Sequence, residues 1–537
     1  MAEFDYRAHG LEPPARRPPI PGGGPQTVAG ILDAPLRERP DAEALVGRHD
    51  RYTYAELDRE VNRAARVLRD LGAGPFTRVA CSASNHPEVV IAFLATQRLG
   101  AIWVGVNRPL APPEKAALLV DCGARIFLGD PEMAAQVEGL RAGLPALEHV
   151  IRLEPGKPDS AFRRALGGVG EPGRPEVEID PFAPAAIAYT SGTTGLPKGA
   201  VHSQHNLLLP GAVSRALGTY PPGTRHGAVL PLTILNLMIL GPLAAFQAGE
   251  ACVCVDRIDP VGLAGFVRDE RIGCFAGVPA IIHDLLTHPE VRPEDLATLD
   301  KPLIGGADVP EAFRELYRER FGSEVAIGYG MTEAPTAVTR AEGRAPEPGL
   351  CGAPLPQVRI RILSEDGRAL PPREVGEICV APAEEGPFAG VYTPMLGYWN
   401  RPEETASALA GGVLHSGDLG FLDEQGVLYI RGRIKELILR GGANVYPAEV
   451  ERVLQEHPAV AAAACLGVPD ERLGQRVVAA VQLEPGASVS EDELRAFCGE
   501  RLARYKVPER IRTVEVMPRN AMNKIVKREL EPLFAGW

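Results

Sequence analysis

The sequence predicts an α/β chain: a large N-terminal domain of α/β layers with a β-rich subdomain, then a small α+β domain at the C-terminus. Three observations lead there. At 537 residues the chain is too long for one ordinary core. From Val79 onward, short apolar runs alternate with helical patterns, the rhythm of parallel strands joined by helices. Beyond the Pro/Gly-rich stretch 344–356 the pattern becomes strands separated by turns, and from Ile434 a further hundred residues carry apolar faces of their own. The expected divisions are an arm at 1–26, a large domain at 27–433 whose β-rich part is about 357–433, and a small domain at 434–537.

The arm is rich in Pro, Gly and Arg without period, so it is expected to lie over the surface or be partly disordered. Thr53 followed by Glu56 is a capping box, and Leu57, Val61, Ala64, Ala65 and Leu68 then form one helical stripe that Gly72 ends. Glu88 to Leu99 has helical period and Ile102 to Val106 reads as a strand. Leu118 to Val120, Ala124 to Leu128 and His149 to Leu153 continue the alternation. Later strands are expected at 358–363, 376–380 and 427–430. The last unit should hold a buried strand at 437–439, a helix at 447–455, strands at 459–466 and 477–483, and a helix at 491–502.

Composition excludes several classes. A net charge of −12 argues against wrapping nucleic acid by bulk electrostatics. The nine cysteines show neither metal spacing nor a disulfide framework, and the N-terminus lacks a secretory apolar core, which together predict a cytoplasmic protein. The least polar run, Leu232 to Phe246, is broken by Asn236, Gly241 and Pro242 and falls short of the roughly 20 residues of a membrane span. Only eight of the 57 basic residues are Lys, so each lysine is conspicuous.

Four stretches carry chemistry. The first is Thr190-Ser191-Gly192-Thr193-Thr194-Gly195-Leu196-Pro197-Lys198, after the apolar run Ala185 to Ala188. Glycines let backbone N–H groups turn toward an anion, hydroxyls add donors and Lys198 adds a charge, so the residue types fit a triphosphate. The Walker spacing is absent, and a flexible turn is the bland alternative. The second is Gly328-Tyr329-Gly330-Met331-Thr332-Glu333, where an aromatic between glycines can face a purine and Glu333 can meet magnesium, or where the turn is purely structural. The third is His415-Ser416-Gly417-Asp418, followed by Arg431-Gly432-Arg433-Ile434-Lys435. A carboxylate in a tight turn there suits two ribose hydroxyls, or forms an ordinary Asx turn. The fourth places Lys524 on a turn between Pro518 and an amphipathic tail, where a solvated lysine is the plain reading.

In this order the four resemble the motifs of an acyl-CoA synthetase of the adenylate-forming superfamily, from about Thr27 to Leu530. The resemblance implies a mobile C-terminal domain and a two-step reaction: a carboxylic acid and ATP give acyl-AMP and pyrophosphate, then coenzyme A displaces AMP. It further implies that Thr190, Ser191, Gly192, Thr193, Thr194, Gly195 and Lys198 hold the β- and γ-phosphates. Gly306, Ala307 and Asp308 with Tyr329 wall the adenine slot, Gly330 and Met331 also bind ATP or AMP, and Thr332 meets the α-phosphate. Glu333, with Thr194, is assigned to Mg2+. Asp418 and Arg433 match ribose contacts, and Lys524 matches the lysine bridging the carboxylate and α-phosphate. Lys435 stands at the hinge, and Gly441 and Gly442 resemble the loop lining the pantetheine tunnel.

By the same resemblance, Leu235, Asn236, Gly305, Gly306, Gly330 and Met331 line the acid pocket. No Asp precedes Leu240 in that stretch to meet an ammonium, so an apolar aryl, alicyclic or medium-chain acid is expected. Two departures stand out: Asn523 precedes Lys524 where Gly is usual, and Thr233-Ile234 replaces an aromatic-His pair. Two other readings remain open: a stand-alone adenylating enzyme serving a carrier protein or amine, and a catalytically silent nucleotide-binding protein. With no carrier domain between Lys524 and Trp537, CoA is the favoured acceptor. No nucleic acid or membrane span is expected, and a homodimer is allowed.

Overall fold

The computed structural model describes residues 4–190, 197–300, 302–304, 311–341, 344, 347–520 and 524–535, with only the backbone of 311 and 312. The chain divides into a larger unit, Met1–Glu347 with Cys351–Ile360 and Val380–His415, and a smaller one, Pro348–Leu350 with Arg361–Cys379 and Ser416–Trp537. Both mix helices and strands, as the sequence predicts.

In the larger unit, seven described strands form one sheet in the order Gly397–Tyr398, Lys198–Ser203, Pro184–Thr190, Ile102–Gly105, Arg78–Ser82, Ile126–Gly129 and His149–Arg152. The last five are mutually parallel, and the first two add antiparallel pairs at the edge. Such strands are covered on both faces, and Val79, Ala80 and Cys81 are fully buried. A second sheet of six strands runs Leu303–Ile304, Ile272–Gly277, Arg225–Ala228, Cys252–Cys254, Glu43–Val46 and Arg51–Thr53.

Local signals in the sequence act as expected. Thr53 and Glu56 form the capping box on helix Tyr54–Asp70, whose Leu57, Val61, Ala64, Ala65 and Leu68 are wholly buried. Each of the Leu and Val side chains contributes about 1.5–3 kcal/mol. Helix Pro87–Arg98 is buried along all its residues, which accounts for its lack of a polar face. Leu118 to Val120 belongs to the end of helix Pro112–Cys122, closed by Gly123 in the left-handed region.

The N-terminal arm is more firmly attached than its composition predicts. Leu11 and Ile20 are buried, Arg16 makes two bonds to Asp180, and His9 stacks on Trp399 at 3.9 Å. Apolar residues spaced too widely to form a period anchor it, so no periodic signal marks them. All nine cysteines are buried thiols outside any disulfide, and no helix of the described residues is long and apolar enough to cross a membrane.

In the smaller unit, strand Leu414–Leu422, which enters it at Ser416, pairs antiparallel with Leu428–Arg433. A five-stranded sheet follows. Gly474–Leu483 pairs along its length with Val460–Asp470, and its other edge takes Ile438–Arg440 at one end and Arg510–Val514 at the other. Helices Pro447–Gln455 and Glu491–Gly499 supply Val450, Val453, Leu454, Leu494 and Cys498 to one apolar cluster. The strand expected to be buried at 437–439 is only half so: Ile438 is buried and Leu439 is 54% exposed, because a short strand at this position has one face in solvent.

Candidate active site

Strand Pro184–Thr190 runs out into the loop that the sequence marks as a phosphate cradle. The chain then returns in strand Lys198–Ser203, with Thr190 opposite Lys198. Thus the loop closes a β-hairpin, and helix Gln204–Ala216 begins only after that second strand, capped by Ser203. A strand therefore stands between the loop and the helix. Ser191, Gly192, Thr193, Thr194 and Gly195 lie outside the described residues, as do Gly305, Gly306, Ala307 and Asp308.

The outgoing stem of the loop is tied to Asp121. The Tyr189 hydroxyl donates to Asp121 Oδ2 at 2.6 Å, and Arg401 Nη2 lies 3.2 Å from Asp121 Oδ1. The Asp121 carbonyl accepts from Trp399 Nε1 and Asn400 Nδ2, each at 3.1 Å. Burial, with Cys122 and Asp121 nearby, pushes the Tyr189 phenol far up, so it remains a donor. Asp121, Trp399 and Arg401 escape sequence reasoning because they come from two segments far apart in the chain with no phosphate-type residues.

The Gly328 to Glu333 stretch is held by short antiparallel bridges, Ile327 to Ala341 and Gly330 to Ala337. Tyr329 is buried, its N–H donates to Thr339 Oγ1 at 3.1 Å, and its carbonyl accepts from Val338 N at 2.8 Å. The two glycines serve this pairing. A Cβ at Gly330 would lie 2.1 Å from Thr336 O and one at Gly328 2.8 Å from Thr339 O. Their close neighbour is the protein's own backbone, whereas the sequence suggested close approach to a purine.

Glu333 is fastened at both ends: its carbonyl accepts from Met395 N at 2.8 Å and its Oε1 accepts from the Tyr398 hydroxyl at 2.7 Å. Lys198 Nζ stands 5.0 Å from the centroid of the Tyr398 ring. Tyr398 therefore brings together two residues that the sequence singled out separately. Behind Thr332, burial pushes the His202 imidazole down to about 4 against the pull of the Thr332 main chain, which keeps it neutral. A partly exposed carboxylate such as Glu333 is an oxygen donor of the kind a hard divalent cation takes.

The stretch expected to wall the acid pocket is helical in three pieces: Leu235–Met238, a π-turn at Ile239–Leu243 containing Pro242, and Ala244–Ala248. Proline deprives the helix of one N–H, and the wider turn accommodates it. Leu235 is buried and Asn236 half-buried. The lead-in is clamped by Asn85, whose amide donates to Ala228 O and Leu230 O at 2.9 Å and accepts from Leu232 N at 2.9 Å. Thr233 O would lie 1.8 Å from a Cβ at position 105, so only Gly105 lets this stretch approach the sheet.

In the smaller unit, Asp418 and Arg433 are cross-strand neighbours, with Arg433 Nε 3.2 Å from Asp418 Oδ1. Asp418 lies within strand Leu414–Leu422, which corrects the tight turn expected for it. Gly417, at φ +72°, supplies a local kink instead. Lys435 is exposed in the single turn Ile434–Glu436, directly after strand Leu428–Arg433. Its neighbour Glu436 meets Lys527 Nζ at 2.6 Å, and Glu451 meets the same nitrogen at 2.7 Å. Burial alone would lower the Lys527 pKa, but the two carboxylates outweigh it and raise it.

Gly441 and Gly442, both at positive φ, form the two-residue turn between strands Ile438–Arg440 and Ala443–Val445. Lys524 follows a hairpin-like return: Arg519 bridges Ile525, and Asn520 N donates to Lys524 O at 2.8 Å. Leu530 and Phe534 of the tail are buried.

Residues 32–399 match the family model described as AMP-binding enzyme, and 449–524 match AMP-binding enzyme C-terminal domain. The chain belongs to the AMP-binding enzyme family. It is 34% identical over 95% of its length to a protein named Fatty acid–[acyl-carrier-protein] ligase ScoC, from Streptomyces coeruleorubidus, of which it covers 97%. It is also 34% identical to a Feruloyl-CoA synthase from Amycolatopsis sp, over 93% of this chain and 97% of that protein. Among solved structures, ATP bound MatB from Rhodopseudomonas palustris superposes with a TM-score of 0.84 at 28% identity, over 95% of this chain and 99% of that one. The family assignment agrees with the resemblance to adenylate-forming enzymes carried by the four motifs.

Proposed function

We propose that this AMP-binding enzyme is an ATP-dependent carboxylic acid–CoA ligase acting on an apolar aryl, alicyclic or medium-chain acid. The observation that carries the reading is near-full-length similarity to a relative named as a CoA synthase, in a chain that retains Lys198, Glu333, Asp418 and Lys524. An oxygen of the acid attacks the α-phosphorus of ATP and pyrophosphate leaves. The CoA sulfur then attacks the acyl carbonyl, AMP leaves, and the thiol proton passes to solvent.

In the first step Lys198 and the hydroxyl-rich loop hold the terminal phosphates, and the Thr332 hydroxyl is directed at the α-phosphate. Glu333, with Thr194, would hold Mg2+, which neutralises phosphate charge when bound. Asp418 accepts from the ribose hydroxyls, with Arg433 beside it. Lys524 neutralises the charge that builds between carboxylate and α-phosphate. Thiolysis requires that cation to withdraw, and Lys435 is the pivot of a domain at 434–537 that moves between the two steps.

The name of the first relative supports a second reading, transfer of the acyl group to a carrier protein. Incubation with ATP, Mg2+ and a panel of aryl, alicyclic and medium-chain acids, with and without CoA, separates the two by product mass. Acyl-CoA with pyrophosphate release supports the ligase. Acyl-AMP that accumulates and ignores CoA supports the other acceptor, and no pyrophosphate with any acid rejects both.

A further inference from the structure

We propose that Tyr398 is a positioning residue for the adenylation step, holding the Glu333 carboxylate and the Lys198 ammonium at set places from one side chain. The inference rests on the reading of Glu333 as the metal carboxylate and Lys198 as a phosphate ligand. Tyr398 lies outside all four motifs that the sequence marks.

The geometry is specific. The phenol donates to Glu333 Oε1 at 2.7 Å, while Lys198 Nζ stands over the ring, 5.0 Å from its centroid. The phenol itself is fixed by its backbone. Gly397 and Tyr398 pair with Val201 and Ala200 of the strand that Lys198 opens, and Trp399 N donates to Gly199 O at 2.8 Å. Tyr398 N donates to Thr405 Oγ1 at 2.9 Å, and Met395 N donates to the Glu333 carbonyl at 2.8 Å. Strand, carboxylate and phenol thus form one braced unit.

A direct ion pair between Lys198 and Glu333 is the alternative arrangement. Such a pair would consume the charges that ATP and its cation require. Among the described residues Lys198 and Glu333 form no ion pair, and each touches Tyr398 instead. The phenol also holds the carboxylate in one rotamer before ligands arrive, so less ordering remains to be done on binding.

The test compares Tyr398→Phe, Glu333→Gln and the double variant. The readouts are Mn2+ affinity of the complex with a non-hydrolysable ATP analogue, by electron paramagnetic resonance, and acid-dependent ATP–pyrophosphate exchange. Loss of a hydrogen bond to a charged group predicts that Tyr398→Phe weakens Mn2+ binding and slows exchange by about tenfold each. In the Glu333→Gln background the same substitution should change Mn2+ binding by less than about twofold, since the bond to the carboxylate is already altered. Wild-type Mn2+ affinity in Tyr398→Phe, or an equal tenfold loss in both backgrounds, overturns the inference while leaving the metal reading intact. Unchanged Mn2+ affinity in Glu333→Gln overturns the metal reading itself, and the inference with it.

Discussion

Tyr189 and Asp121 are joined by a 2.6 Å hydrogen bond between positions 68 residues apart, and that bond braces the stem of the phosphate loop. The carboxylate also lies 3.2 Å from Arg401, so one side chain joins the outgoing strand to the segment bearing Tyr398. Asp121→Ala leaves a half-buried phenol without its acceptor and is predicted to cost about 1–3 kcal/mol of stability. Tyr189→Phe removes the donor as well and should cost less. Denaturant unfolding measures both. The Michaelis constant for ATP should rise more in Asp121→Ala than in Tyr189→Phe.

Gly330→Ala forces a Cβ against Thr336 O, where only backbone can give way. The expected result is loss of pyrophosphate exchange together with a lowered melting temperature, by an overpacking cost of about 1–3 kcal/mol. Gly139→Ala, at the end of helix Pro131–Gly139 with nothing within 4 Å of the added carbon, should leave exchange at the wild-type rate and leave stability equal or slightly higher. Equal behaviour of the two variants would contradict the steric account.

His226 is buried edge-on to Tyr220 at 4.8 Å, and burial pushes its imidazole down to about 4. The folded-state value lies below the ordinary 6.5, so the unfolded chain binds more protons between these values. Stability from keeping this group neutral is present above pH 6.5 and is lost as pH falls toward 4. By pH 5 the loss is about 2 kcal/mol for this residue. His226→Phe should therefore lose less stability than wild type between pH 7.5 and 5, as read from denaturant midpoints.

Much of the fold is legible because local rules and tertiary structure agree. The Thr53 capping box, the stripe after it, the buried strands at 78–82 and 126–129 and the helix Pro447–Gln455 each carry their own signal. The family motifs are legible for a similar reason, being contiguous runs. What the sequence hides is assembled across distance: Asp121 with Tyr189 and Arg401, Tyr398 with Glu333 and Lys198, and Asn85 with the 228–232 backbone. Backbone geometry is hidden too. The residue types around Asp418 fit a turn as well as a kinked strand, and the partner strand Leu428–Arg433 decides between them.

The most direct test of the central claim separates the two half-reactions in Lys524→Ala, using an acid identified from the panel. The account predicts that pyrophosphate release from acid and ATP falls by at least about a hundredfold, as for loss of a charge-stabilising group. It also predicts that a supplied acyl-adenylate is still converted by CoA to the thioester at a rate within about threefold of wild type, since this cation is assigned to the first step alone. Equal loss of both half-reactions, or undiminished adenylation without Lys524, would contradict it.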